Sequence, residues 1–276
     1  MTLARLRQWF THHVFATLGL ALAWLVVLIL FLWAIVPSGF TPYSPVEGIA
    51  GAQNHVPSIA YPLGTDPLGR DLYTRLVYGA AHSLSGAVIA VGLGIAIGSA
   101  FGLLAGTAGR WLDVIIMRLT DILLAVPSLL LSLSIIILLG PGTIHVAIAV
   151  GITAIANFTR LVRGEALRIR HSDYVKAAYG SGGNFINVLW RHIAPNTLPT
   201  LLAYAIVQLG SAVLAISTLG FLGYGTPPPT PEWGRLIAEG RNYLATAWWL
   251  TTFPGIAVVL AVLSTHRISQ SFSEAQ

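Results

Sequence analysis

Charged residues are scarce along this chain. Only 9% of its 276 residues are Asp, Glu, Lys or Arg, whereas hydrophobic residues make up 55%. Soluble domains contain about 25% charged residues. Because so few charges cannot cover a chain of this length with a water-facing surface, the composition predicts an integral membrane protein.

Five stretches without any charged residue define the membrane crossings. They are residues 8–46, 76–109, 122–159, 192–231 and 242–266. A spanning helix needs about 20 mainly apolar residues, so four of these stretches supply one span each. The stretch 122–159 is long enough for two spans and is interrupted by the turn signal Gly140-Pro141-Gly142. The sequence therefore predicts an all-α fold with six transmembrane helices, the third of them ending near Leu139.

Several chemical signatures are missing as well. Cysteine is absent, which excludes disulfides and thiolate metal sites. The only lysine, Lys176, follows Val175, so the Gly-Lys dipeptide of a P-loop is not present. Neither His-Glu-x-x-His nor Gly-x-Ser-x-Gly occurs, and the eight histidines are scattered. We therefore predict no catalytic residue and no metal site in this chain.

The acidic residues argue against two other classes of membrane protein. All ten of them fall in predicted loops or at the ends of spans. A stand-alone secondary carrier would place ionisable groups within the bilayer, and a membrane-embedded enzyme would need a clustered acid, base or metal set there. The charge map disfavours both.

Basic residues give the orientation. With six spans both termini lie on one side, and eleven of the 15 Lys and Arg residues are on that side. The excess of basic residues marks cytoplasmic loops. Both termini are therefore predicted to be cytoplasmic, and the net charge of +5 is explained without nucleic-acid binding.

Local spacing predicts three features around the second span. Residues 72–79 are expected to form an interfacial helix that enters the span, with Asp66 capping the turn before it. Glycines four residues apart, Gly94 to Gly106, indicate close packing against another helix. In the following elbow, Arg110 with Asp113 and Arg118 with Asp121 are spaced for pairing along one helix.

The stretch 163–195, which is predicted to face water, contains the patterns of two short capped helices. Ser172 or Asp173 can cap a first helix, which the glycines at 180, 182 and 183 end. Asn184 can cap a second helix, which Pro195 is expected to end. A charged linker would account for the arginines here but not for two capped amphipathic helices. The stretch is therefore predicted to be a docking surface for another protein.

These residues resemble a known family. The pattern Ala177-Ala178-xxx-Gly182, followed by Pro195, is similar to the "EAA" loop of ABC importer permeases, with Lys176 where a glutamate is usual. Further matches narrow the resemblance to the dipeptide/oligopeptide/nickel branch of binding-protein-dependent permeases. They are GTDPLGRDLYTRLVYGA (64–80), MRLTDILLAVPSLLL (117–131), LVRGEALRIRHSDYVKAA (161–178), RHIAPN (191–196), LGFLGYGTPPPTPEWGRLIAEGRNYL (219–244) and FPG (253–255).

The resemblance implies partners, a location and two functional regions. The partners are a second, homologous permease, two ABC ATPase subunits that hold the ATP and Mg, and an extracytoplasmic solute-binding protein, all at a bacterial inner membrane. No cofactor is implied for this chain itself. The implied ATPase-coupling residues are Asp173, Tyr174, Ala177, Ala178, Gly182, His192 and Pro195. The implied binding-protein-facing residues are Asp66, Arg70, Asp71, Glu232, Trp233 and Arg241.

The same resemblance leads to a domain division and a cargo. Residues 1–75 are expected to comprise a basic arm (1–13), the first span and a Pro-rich external segment. Residues 76–276 are expected to form a five-helix permease core that contains the cytoplasmic coupling loop, residues 163–197. Di- and oligopeptides are the expected cargo, with nickel, metal–chelate complexes or glutathione-like peptides as alternatives.

Overall fold

The computed structural model describes the backbone of residues 3–274 and the side chains of residues 18–272. Within that range the fold is built from helices, with one isolated β-bridge between Thr65 and Asp71. The helices are α1 (Leu3–Ile35), α2 (Leu72–Leu93), α3 (Ser99–Thr107), α4 (Arg110–Ala125), α5 (Ser128–Leu139), α6 (Thr143–Arg170), α7 (Asp173–Gly180), α8 (Phe185–Val188), α9 (Ala194–Phe221), α10 (Trp233–Gly240) and α11 (Trp249–Glu274). The all-α prediction is confirmed.

Five continuous helical stretches are long and apolar enough to cross a membrane. They are Leu18–Ile35, Leu72–Thr107, Thr143–Arg170, Phe185–Phe221 and Trp249–Phe272. The pair α4–α5 meets the same requirement when its two helices are counted together. With that pair the number of candidate spans is six, as the charge-free stretches predict.

The predicted third span is not one straight helix. The structure bends the chain by 92° between α4 and α5. Pro127 lies in the break, where it cannot donate a backbone hydrogen bond and forces the preceding residue into an extended conformation. With 12 residues, α5 is only about 18 Å long, which is shorter than the roughly 30 Å hydrocarbon core.

The helix predicted at residues 72–79 is present and runs directly into the second span. The chain is helical without interruption from Leu72 to Thr107, through a π-helical turn at Gly94–Gly98. Leu72, Thr74, Arg75 and Leu76 are all buried. The first turns of α2 therefore pack inside the protein, and their position relative to the membrane surface stays a prediction.

The chain divides into two compact units, residues 1–84 with 209–276, and residues 85–208. In the first, α1 and α10 both pack on α11, and Leu72, Ala247, Trp249 and Leu250 form a core. In the second, α6 is the centre, with α3, α4 and α5 packed around it. The division at residue 75 stays a prediction. The backbone of the basic arm is helical from Leu3, and its side chains lie outside the described residues.

The glycine spacing of the second span has the predicted consequence. A Cβ atom at Gly94 would lie 2.6 Å from the ring of Phe158, and one at Gly102 would lie 2.7 Å from Cβ of Val162. Gly98 and Gly106 face α6 in the same way. Since real Cβ contacts are not that short, only glycine allows the two backbones to approach this closely.

Candidate functional site

The coupling loop folds onto the end of α6. Its core contains two α6 residues, one residue of α7 and three from the start of the next helix: Ala166, Ile169, Val175, Val188, Leu189 and Ile193. Val175, Val188 and Ile193 are at most 1% exposed. Burial of several such side chains stabilises the loop by about 1.5–3 kcal/mol each. The loop is therefore a packed structure rather than a flexible linker.

Glycine and asparagine form the turn between α7 and α8. Gly182 has φ +85°, a conformation that side chains disfavour. The N–H of Gly183 donates to the carbonyl of Ala178 at 3.0 Å, and a Cβ there would lie 2.7 Å from that oxygen. The Asn184 side chain accepts from the N–H of Asn187 at 2.8 Å, which confirms the predicted cap of the second helix.

The predicted end of that second helix at Pro195 is wrong. A π-helical turn, Leu189–Ile193, joins α8 directly to α9, and Pro195 is the second residue of α9. A π-helical turn shifts the hydrogen-bond register by one residue, just where proline would otherwise clash with the carbonyl four residues earlier. The coupling loop thus continues into the fifth span as one helical stretch.

Apolar side chains remain exposed on the coupling loop. Trp190 is 68% exposed, Ile186 64% and Tyr174 46%, and Ala177 and Tyr179 are exposed too. The Tyr174 ring lies 6.4 Å from the His192 ring. Exposed apolar residues grouped in a water-facing segment are typical of interaction surfaces. We call Tyr174, Ala177, Tyr179, Ile186 and Trp190 the exposed coupling face.

The predicted coupling residues divide between this face and its support. Tyr174 and Ala177 belong to the face, and Asp173 is exposed and pairs with Lys176 at 3.0 Å. Ala178 packs against the core and Gly182 forms the turn. His192 is half-buried and Pro195 exposed. Sequence reasoning missed Ile186 and Trp190, although a tryptophan beside Arg191 in a predicted water-facing segment was a usable signal.

The acidic residues of α4 pair with α6 rather than along their own helix, so the predicted local pairs are wrong. Asp113 holds Arg163 through two hydrogen bonds, Nη2 to Oδ2 being 2.7 Å, and Asp121 accepts from Arg160 at 2.7 Å. A paired fork between guanidinium and carboxylate is stronger than a single exposed contact. Arg163 thus ties α4 to the part of α6 that supports the coupling loop.

A second cluster of charges, three of them buried, lies in the other unit. It consists of Asp66, Arg70, Arg75, Arg235 and Glu239, which we call the Arg75 cluster. The Arg75 side chain is 0% exposed, and its Nη2 lies 2.9 Å from Glu239. Glu239 also pairs with Arg235 at 2.9 Å, and Arg70 Nε lies 2.6 Å from Asp66. These contacts bind residues 66–75 to α10 across more than 160 positions of sequence.

Asp66 and Asp71 cap the two turns that lead to Arg75. Asp66 Oδ1 accepts from the N–H groups of Leu68 and Arg70, both at 2.9 Å, so it caps the turn as predicted. Asp71 Oδ2 accepts from the N–H of Thr74 at 2.8 Å and so caps the first turn of α2. Both carboxylates are buried.

Glu232 and Trp233 hold the start of α10 in place through hydrogen bonds to Thr226 and Leu76. The Trp233 side chain is fully buried and donates from Nε1 to the carbonyl of Leu76 at 3.0 Å. Glu232 accepts from the N–H of Thr226 at 2.9 Å. Gly220 and Gly225 leave room for its carboxyl, whose Cδ would lie 3.0 Å from a Cβ at either position. Burial raises the pKa of Glu232 above its usual range, against the opposing effect of the Thr226 hydrogen bonds and Arg235.

The residues predicted to face a binding protein are therefore mostly internal. Asp66, Arg70, Asp71, Glu232 and Trp233 are all at most 6% exposed. Arg241 is exposed, with its guanidinium 5.9 Å from the Phe221 ring. These side chains hold residues 66–76 against α10, and their contact with a binding protein stays a prediction.

Comparison with known proteins places this architecture in a family. The family model described as "Binding-protein-dependent transport system inner membrane component" matches residues 98–274. A dipeptide transport system permease protein of Alkalihalophilus pseudofirmus is 36% identical over 91% of this chain and 81% of its own length. A glutathione transport system permease protein of Pectobacterium atrosepticum is 33% identical over 98% of this chain and 88% of its own length.

The fold is also found in a solved structure. The MetNI methionine ABC transporter, described in inward-facing conformations, aligns with a TM-score of 0.58, covering 73% of this chain and 97% of that chain at 18% identity. That identity supports a shared fold only. The family match covers more than half of the chain and includes the coupling loop, α10 and α11. The chain belongs to the family of binding-protein-dependent transport system inner membrane components.

Proposed function

We propose that this chain is one permease subunit of an ATP-driven ABC importer in a bacterial inner membrane. It forms the transport pathway with a second, homologous permease. Two ABC ATPase subunits bind ATP and Mg, and an extracytoplasmic solute-binding protein delivers the cargo. Membership of the binding-protein-dependent family supports this assignment, as does the lack of a Gly-Lys dipeptide in the sequence.

The observation that carries the proposal is the exposed coupling face. Val175, Val188 and Ile193 hold the loop rigidly on α6, while Tyr174, Ile186 and Trp190 project from it. A rigid loop with an apolar outer face can transmit force from a partner only when that partner covers the face. ATP-driven closure of the ATPase pair would move this loop, and with it α6 and α9, between inward- and outward-facing states.

Substitution at Ala177 tests the coupling role. Ala177→Trp adds bulk to an exposed α7 position and should abolish uptake while ATP hydrolysis continues in the reconstituted complex. Ala177→Ser is the matched control, because it keeps a small side chain and should transport normally. Tyr174→Ala should also uncouple hydrolysis from uptake. Normal transport in both Ala177→Trp and Tyr174→Ala would contradict the docking role.

Short peptides are the proposed cargo. The dipeptide and glutathione permeases named above share a third or more of their aligned residues with this chain, and glutathione is itself a small peptide. The ligand is best identified on the cognate binding protein. Dipeptides, glutathione and nickel should be compared by thermal shift, and stabilisation by nickel alone would overturn the peptide assignment.

A further inference from the structure

A cavity of about 490 Å³ opens beside the Arg75 cluster. Its charged lining consists of the five residues of that cluster, and its apolar walls include Leu72, Leu236 and Leu250. All of these residues belong to the same compact unit. The cavity falls within the 300–1,000 Å³ typical of small-molecule sites and combines apolar walls with a few convergent polar groups.

The carboxylates in this cavity are already occupied. Asp66 accepts from two backbone N–H groups and from Arg70 Nε. Glu239 accepts from Arg75 Nη2 and from Arg235 Nε, both at 2.9 Å. These bonds use both oxygens of each carboxylate, so the lining offers little further capacity to receive hydrogen-bond donors.

The guanidinium group of Arg75, in contrast, retains donors, whereas Arg235 already donates from Nη1 to the carbonyl of Thr226 at 2.9 Å. Arg75 is fully buried, yet neither its Nε nor its Nη1 makes a hydrogen bond. Nη1 has only a long ionic contact with Asp66, at 3.5 Å. A buried donor left without a hydrogen bond is energetically unfavourable. Unmet donors in the wall of the cavity favour a ligand that supplies an acceptor.

The charge balance gives the same answer. Three guanidinium groups, from Arg70, Arg75 and Arg235, face two carboxylates, from Asp66 and Glu239. The lining thus carries one positive charge in excess, and a ligand with a single negative charge would neutralise it. Arginine is the side chain best suited to bind a carboxylate through paired hydrogen bonds.

We propose that this cavity binds the C-terminal carboxylate of a short peptide. The excess guanidinium donors take the carboxylate, and the leucine walls accommodate the peptide side chains. The volume suits a molecule larger than a lone anion. This inference rests on the proposed peptide cargo and adds a receiving site within the permease itself, built by the segments 66–75 and 235–250.

Direct binding to the full chain in lipid nanodiscs tests the proposal. Calorimetric titration should show that alanylalanine binds at least about tenfold more tightly than its C-terminal amide, since only the free peptide offers a charged acceptor. Arg235→Gln should remove most of that preference, and Arg235→Lys should retain part of it. Arg118→Gln removes a charge from an exposed position of α4 and should keep the full preference. Equal binding of peptide and amide by the native chain would overturn the proposal, whatever the variants do.

Uptake of alanylalanine by the reconstituted complex separates this inference from the proposed function. Uptake without a carboxylate preference in the isolated chain would overturn the cavity assignment and leave the peptide importer standing. A carboxylate preference without uptake would support the cavity and contradict the proposed cargo. A carboxylate preference that Arg235→Gln leaves intact would also overturn the assignment, because it would place the carboxylate elsewhere.

Discussion

The Arg75 cluster and the coupling loop differ in which side chains they bury and which they leave exposed. The Arg75 cluster buries three charged side chains, Asp66, Arg70 and Arg75, and pairs them with each other and with the half-buried Glu239. The coupling loop instead buries its aliphatic side chains and leaves Ile186 and Trp190 exposed. The first region pairs most of its charges within its own unit, although Arg75 keeps two donors without a hydrogen bond. The second is stable as a loop but presents an uncovered apolar face. The difference distinguishes a structural framework from a surface that needs a partner.

Removing the central cation should have the largest effect on stability. Arg75→Met would leave Glu239 and Asp66 with a reduced set of partners in a buried environment, at a cost of about 3–5 kcal/mol. Lys176→Met breaks an exposed pair with Asp173 in the coupling loop and should cost less than about 0.5 kcal/mol. Thermal unfolding in detergent measures both. Similar losses from the two substitutions would erase the contrast between the regions.

Close backbone packing under α10 should give the second-largest effect. A Cβ at Gly234 would overlap the Ser217 carbonyl and lie 2.7 Å from its Cα. Gly234→Ala should therefore destabilise by about 1–3 kcal/mol, through overpacking against backbone that cannot move aside. Gly164→Ala in α6, where nothing lies within 4 Å, should instead be neutral or stabilising by up to about 1 kcal/mol. The unfolding midpoints of the two alanine variants measure this difference, and equal midpoints would contradict the role of close packing at Gly234.

The pH dependence of stability should report on Glu232. Because its pKa is raised in the folded chain, the folded state keeps a proton that the unfolded state has already lost. Stability should therefore fall as the pH rises from the ordinary glutamate value, about 4.3, through the raised pKa. Glu232→Gln should remove that fall, and Glu47→Gln, at an exposed position, should keep it. Unfolding midpoints across a pH series provide the measurement, and an unchanged profile in Glu232→Gln would assign the dependence to another group.

The smallest change in stability is expected at the exposed coupling face. Trp190→Ala should alter the unfolding free energy by no more than about 0.5 kcal/mol, yet it should reduce co-purification with the ATPase subunits. Val188→Ala, two residues earlier but buried, should cost about 2 kcal/mol. A large loss of stability from Trp190→Ala would show that the tryptophan supports the loop itself.

Sequence-based prediction succeeded for features that depend on residues close together in the chain. The charge-free stretches located the spans, the glycine repeat indicated the α6 contact, and Asp66 and Asn184 cap the predicted turns. Each of these depends on short-range spacing or on an unbroken run of apolar residues.

Long-range geometry could not be obtained in the same way. Asp113 and Asp121 have arginines at helical spacing, but they pair with Arg163 and Arg160 because α4 packs on α6. The Arg75 cluster joins segments more than 160 residues apart. Pro127 was visible in the sequence, but proline marks the position of a break and does not specify its angle of 92°. The spacing rules describe one helix at a time and do not specify its neighbour.

The glycine contacts between α3 and α6 have a mechanical consequence. The glycines pack directly against Phe158, Val162 and Ala166 of α6 and against its backbone, which leaves little room for the two helices to slide past each other. A movement of the coupling loop, attached at the end of α6, would therefore be expected to tilt both helices. Since α6 has 28 residues and is about 42 Å long, a tilt of roughly 5° about one end would displace the other by about 4 Å. Movement of the coupling loop by a few ångströms would thus correspond to a tilt of only a few degrees along the span.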